Sequence, residues 1–215
     1  MDSKKSCNFA DSFKSSTVKE AITTMDTRKI IQALTYFSYN QPNHELNNRK
    51  AYKLLWLADR YQLRQSGRFL TGDKYFAMQF GPVPSDAKNI LEGKETVMHT
   101  DPQYVAQYLK LNGTKYTALC EPDMKVFSIS DKQILDKVLA RFSSMSTAAL
   151  SEMSHEFPEW LAYKEQITDK SKHSAYPIDI DYFFEESKNP NNSFFADDAT
   201  ALGLAKELYH ERNRG

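Results

Sequence analysis

The run from Arg49 to Leu91, RKAYKLLWLADRYQLRQSGRFLTGDKYFAMQFGPVPSDAKNIL, constrains the fold more than any other part of the chain. Leu54, Leu55, Ala58 and Tyr61 recur at the spacing of a single helix face. Asn47 or Asn48 can cap that helix, because a short side-chain oxygen accepts from unpaired first-turn N–H groups. Gly67 can end it, since a helix C-terminus commonly needs a residue with φ > 0. The helix would be roughly 19 residues and roughly 28 Å long. Alternation over Lys74–Phe80 predicts a strand, with Tyr75, Ala77 and Gln79 on one face and Phe76, Met78 and Phe80 on the other. Gly81-Pro82-Val83-Pro84 is expected to stop it, because proline has no N–H for a ladder. Pro84 suits the start of a helix over Ser85–Leu91, closed by Gly93.

The rest of the chain divides around this run. Residues 1–25 are rich in Ser, Thr and Lys with little apolar periodicity, and read as a flexible extension. Residues 26–186 carry the domain, and residues 187–215 a linker with a terminal amphipathic helix. Asp26–Tyr39 is expected to be the first core helix, capped by Asp26, with Ile30, Ile31, Leu34 and Phe37 inward. Asp101-Pro102 starts a helix. Asn112-Gly113 marks a turn, and Tyr116–Leu119 and Lys125–Ile129 are expected to pair as strands with Lys74–Phe80. Ser130 to Gln133 reads as a capping box, followed by Ile134, Leu135, Val138 and Phe142 inward. Ser146 or Thr147 starts a further helix broken by Pro158. Glu159–Ile167 is a further helical stretch, Thr168–Ala175 a loop, and Ile178–Glu186 a short helix. Asn189-Pro190-Asn191-Asn192 is the linker, and Ala199, Leu202, Ala205, Leu208 and Tyr209 line the last helix, which docks on the body or on a partner. These signals predict an α+β fold, mainly α: a compact helical domain with a small antiparallel β-sheet.

Composition excludes several classes of function. The 215 residues carry 28 basic and 28 acidic side chains and no net charge. A broad nucleic-acid footprint needs a basic excess, so direct DNA binding is not expected; zero net charge favours association, including homo-oligomers. Cys7 and Cys120 form no CxxC pair and are expected to be reduced thiols. The N-terminus has no apolar signal core and no run approaches a membrane-spanning length. A cytoplasmic protein without membrane contact is the expectation.

Motif chemistry is equally sparse. His155-Glu156 lacks a second histidine four residues on, where Glu159 stands, so a metalloprotease pair is missing and no metal site is expected. Thr71-Gly72-Asp73 lacks the pattern of a phosphate loop, and no serine sits in a GxSxG elbow. The helix after Ser146 has no basic residue for phosphate contacts. No cofactor and no catalytic set are expected. Asp59-Arg60 and Arg68 with Asp73 allow two readings: an acid/base site, or carboxylates and guanidinium groups tying turns together. The aromatic content allows two readings, core packing of each ring or a binding face. Tyr and Trp bury large area with few rotors and are favoured at interfaces. Trp56, Arg60, Tyr61, Arg64, Arg68, Asp73, Tyr75, Phe80 and Trp160 are the candidate partner-binding residues, with Lys53 in the polar rim.

The run LLWLADRYQLRQSGRFLTGDKYFAMQFGPVPSDAKNIL resembles the Panacea, or SocA-like antitoxin, family. The resemblance rests on Ala58-Asp59-Arg60, Gly67, Thr71-Gly72-Asp73 and Gly81-Pro82-Val83-Pro84, and on a second stretch over Phe127–Trp160. It covers roughly Asp26 to Phe184 and makes Asp59, Gly67, Gly72, Gly81, Pro82 and Pro84 motif residues with a structural part. It implies a bacterial or phage antitoxin, not an enzyme, that neutralises a cognate toxin from the same operon by direct binding. The SocA branch acts instead as an adaptor that delivers its toxin to the ClpXP protease, which is the alternative. An enzyme using Asp59, Asp73 or His155 is the third reading.

Overall fold

The computed structural model describes residues 18–94, 100–169, 174–192, 194 and 198–214, and side chains from Thr27 onward. Helix α1 (Val18–Tyr39) begins upstream of the expected start, so Asp26 lies inside it and is not its cap. Ile30, Ile31, Leu34 and Phe37 are buried, as their spacing requires. The hub is α2 (Asn48–Ser66). Asn47 caps it by accepting from Arg49 N at 3.0 Å. Gly67 closes it in the left-handed region, φ 61°, donating to Leu63 O at 2.8 Å.

Two three-stranded antiparallel sheets flank this hub, where the sequence suggested one. In the first, β2 (Tyr75–Met78) lies between β3 (Gly81–Pro84) and β6 (Ala175–Pro177). The GPVP run therefore does not end the strand; it turns back as its partner, with Phe76 opposite Val83 and Ala77 opposite Pro82. β3 is an edge strand, and prolines two apart place both missing donors on one side of it. On that side Pro82 O accepts from Lys53 Nζ at 2.8 Å. The β2–β3 turn leaves Phe80 43% exposed. Helix α3 (Ser85–Leu91) follows as expected.

In the second sheet, β5 (Lys115–Ala118) lies between β1 (Glu45–Asn47) and β4 (Leu109–Asn112). Its expected pairing with Lys74–Phe80 is replaced by Leu46 opposite Tyr116 and Leu111 opposite Tyr116 on the other side. Tyr116 is buried and donates to Leu34 O in α1 at 2.9 Å, which fixes this sheet against α1. Helix α4 (Pro102–Tyr108), capped by Asp101, leads into β4.

Lys125–Ile129 is not a strand. Met124–Val126 is a 3-10 turn capped by Asp123, and α5 (Ile129–Phe142) starts immediately after. The capping box is Ser128 with Asp131, two residues earlier than expected: Ser128 Oγ accepts from Asp131 N at 3.1 Å and Ser128 N donates to Asp131 Oδ2 at 3.0 Å. Helices α6 (Thr147–Ser154), α7 (Pro158–Leu161) and α8 (Lys164–Thr168) divide what the sequence suggested as two helices, and Ile180–Phe184 is a 3-10 turn.

The Asn189–Asn192 stretch is held in place and is not a free linker. Asn189 Nδ2 and Asn192 Nδ2 both donate to Glu156 Oε2 at 2.7 Å. Helix α9 (Ala199–Arg212) packs on α2 through buried Ala205. A Cβ at Gly67 would sit 2.4 Å from Ala205 O, so the two helices meet there through backbone. Arg212 closes the contact, donating to Gly67 O at 3.1 Å. Cys120 is buried and is not a free thiol, which corrects the expectation of two reduced cysteines; Cys7 and most of the proposed N-terminal extension lie outside the described residues.

Candidate functional site

A helix surrounded by protein is ordinarily apolar all round. α2 is buried from Ala51 to Arg64 and yet carries Lys53, Asp59, Arg60, Gln62 and Arg64 in that span. Buried polar groups must be bonded and buried charges compensated, or the fold loses stability.

Asp59 accepts from Thr71 N at 2.7 Å, from Thr71 Oγ1, and from Tyr75 Oη at 2.6 Å. Burial pushes its carboxyl above the ordinary range, and the Thr71 and Tyr75 bonds oppose that shift. The Tyr75 hydroxyl is pushed well up by burial and then by the Asp59 charge. Asp73 accepts from Asp86 N and Ala87 N, each at 2.9 Å. It thereby caps α3, whose own preceding residue, Pro84, has no side chain able to do so. Burial pushes Asp73 up to about 7, against the pull of those two N–H groups. Gly72, at φ 76°, supplies the left-handed turn that brings Thr71 and Asp73 to opposite duties.

The arginines reach the other way. Arg60 Nε lies 2.8 Å from Glu159 Oε1, with both side chains almost fully buried. The attraction is chiefly Coulombic, with a smaller hydrogen-bond part. Burial raises the Glu159 carboxyl and the Arg60 charge opposes it. Arg60 also donates to Glu185 O and stacks on Phe157 at 4.9 Å. Arg64, one turn on, donates to Phe183 O at 3.1 Å and pairs with Glu186. Arg68 donates to Asp131 Oδ1 at 2.7 Å, joined by Ser128 and Ser130. Burial alone would raise the Asp131 carboxyl; Arg68, the Ser128 N–H and Lys29 outweigh it and hold it low. Asp59 thus ties α2 to the β2 side, while Arg60 and Arg64 both reach Glu185 O, and the tie to residues 183–186 crosses about 120 positions of sequence.

Of the nine residues expected to face a partner, seven are core: Trp56, Arg60, Tyr61, Arg64, Asp73, Tyr75 and Trp160. Trp56 packs edge-on against Phe157 at 5.0 Å. Trp160 Nε1 donates to Met78 O at 2.8 Å, and His155 stacks on its ring at 3.9 Å. Only Arg68, a third exposed, and Phe80 reach the surface. The carboxylates of Asp59 and Asp73 are taken up by Thr71, Tyr75 and the first N–H groups of α3, so the tying reading fits them better than the acid/base reading. Glu159, Asp131 and the backbone of Phe183–Glu186 were missed as their partners; sequence separation hides them.

The surface feature beside Phe80 is a cleft of about 580 Å³ between the start of α2, the β2–β3 turn and α3. Tyr52, Met78, Phe80 and Val83 give it apolar walls, and Arg49, Lys53, Lys88 and Glu92 give it charge. Arg49 lies over the Phe80 ring at 4.3 Å. Among the described residues, no group of three His, Cys, Asp or Glu side chains could hold a metal ion, and no helix is long and apolar enough to cross a membrane.

The family described as antitoxin SocA-like, Panacea domain, matches residues 52–161. The chain belongs to this family. No curated protein and no solved structure matches it. The matched span starts within α2 and ends at the last residue of α7. It holds Asp59, Gly72, Asp73 and GPVP and the acids Asp131 and Glu159. The Panacea span of this chain is completed from outside: Asn47 caps α2, β6 extends the first sheet, and Phe183–Glu186 receives Arg60 and Arg64. Membership supports an antitoxin role and points to a non-enzymatic one.

Proposed function

We propose that this chain is the antitoxin of a toxin–antitoxin pair and neutralises its cognate toxin by direct, stoichiometric binding in the cytoplasm, the toxin being encoded in the same operon. The observation that carries this reading is the family match over residues 52–161. The side-chain arrangement supports binding over catalysis: the charged motif residues are occupied in holding the fold, which leaves no free acid–base pair among them. A stable specific interface buries about 1,600 Å² in total. The cleft beside Phe80, with its apolar walls and cationic rim, is the proposed centre of that contact.

Co-expression tests the reading. Expression of the neighbouring gene product alone is expected to stop growth, and this chain to restore it without changing the toxin's half-life. Unrestored growth would reject the antitoxin role. A shortened half-life that depends on ClpXP would replace direct inhibition with delivery to that protease.

A further inference from the structure

Lys53 is an anomaly within the cleft. Its side chain is 2% exposed and lines the cleft wall. Its only hydrogen bond among the described residues goes to Pro82 O at 2.8 Å, and no carboxylate there pairs with it. An ammonium has three donors and is expensive to bury unpaired. Gly81 leaves the room that the group occupies: a Cβ there would lie 2.5 Å from Lys53 Nζ and 2.0 Å from Ser154 Oγ. Among the described residues the one carboxylate on the cleft wall, Glu92, is already engaged by Lys88 at 2.8 Å and Lys94 at 2.7 Å. Arg49 and Lys88 add further positive charge at the rim, and Tyr52, Met78, Phe80 and Val83 line the approach.

We propose that the cleft receives a carboxylate side chain from an acidic, partly apolar segment of the toxin, and that Lys53 is the group that receives it. This rests on the antitoxin reading above. The complement follows from charge: a carboxylate supplies the counter-ion the site lacks, and the apolar stem of Asp or Glu, or a neighbouring aromatic ring, covers the walls. Burial without a counter-charge pushes the Lys53 ammonium well below its ordinary range, and an incoming carboxylate reverses that cause.

Two arms test the assignment on the full chain. In the first, 3-phenylpropionate and its uncharged amide are titrated and followed by amide NMR. The acid is expected to shift Tyr52, Lys53 and Phe80, the amide to leave them unmoved, and Lys53→Met to abolish the shifts. Equal shifts from acid and amide would overturn the role of charge. In the second arm, the co-encoded toxin is titrated. Lys53→Met is expected to weaken the complex about 30-fold or more, as loss of one member of a buried charge pair does. Arg49→Glu, on the exposed rim, is expected to weaken it about 10-fold, and carries the test if Lys53→Met fails to fold. Wild-type binding with unchanged affinity in the folded variants would overturn the cleft and leave the antitoxin reading intact. No binding by the wild type would overturn both.

Discussion

Glu159→Leu should be among the most damaging single changes in this protein, though it touches no surface. Glu159 and Arg60 lie 2.8 Å apart with side chains 0% and 2% exposed. At an effective dielectric of about 20 that separation gives a gross attraction of about 6 kcal/mol. Desolvation of the two ions consumes much of it, so the pair contributes little net stability over apolar residues. Removing one member is different. Arg60 would keep Glu185 O and the Phe157 ring but lose the carboxylate that compensates its charge. The expected cost is about 3–5 kcal/mol. For a chain of this size each kcal/mol moves Tm by about 2–4 °C, so the variant should melt about 6–20 °C lower. Arg60→Met combined with Glu159→Leu removes both ions and should recover at least about half of the loss. Urea titration of the wild type, both single variants and the double variant measures this, with an unchanged m-value as the condition for comparing them. A Glu159→Leu cost below about 1 kcal/mol, or a double variant worse than the sum of its singles, would refute the reasoning.

Three further outcomes follow from named contacts. Asp73, raised by burial to about 7 from 3.8, favours the fold most when protonated. That contribution is complete below pH 3.8 and is lost as pH rises through 7, so wild-type stability relative to Asp73→Asn should fall by about 2 kcal/mol between pH 5 and 8, measured by urea melts; a pH-independent difference would contradict it. Gly67→Ala places a Cβ 2.4 Å from Ala205 O at a positive φ; it should cost about 1–2 kcal/mol and speed amide exchange in α9 more than in α1, whereas uniform exchange would argue against a local docking defect. Ser128→Ala should destabilise by about 1 kcal/mol through its cap, and Ser130→Ala by less, which thermal melts can separate; the reverse order would restore the capping box to Ser130.

Local signals were legible and long-range ones were not. Asn47 and Gly67 announced both ends of α2 because caps are short-range chemistry. Asp101, Ser146 and the Asn112-Gly113 turn were readable for the same reason. GPVP was misread because the rule against proline in a ladder applies to paired donors, and here both prolines share one side of an edge strand. Ser128 and Ser130 both offer a cap, and the choice fell to Asp131, which takes part in the box and also receives Arg68 and Lys29. The burial of seven of the partner-facing set was not legible: Arg60 and Arg64 look like a basic surface stripe, but the acids and carbonyls they meet lie about 100 to 125 residues away. Lys53 was placed in a polar rim, and nothing in its neighbours LLWL marks it as an unpaired cation.

The most direct test of the central claim is calorimetric titration of the purified chain with the purified toxin encoded beside it. The account predicts saturable binding at a fixed stoichiometry, with a Kd tighter than about 1 μM, for the wild type and equally for the folded Arg60→Met/Glu159→Leu variant. Restored growth on co-expression with no detectable binding would contradict it, and so would a folded double variant that no longer binds.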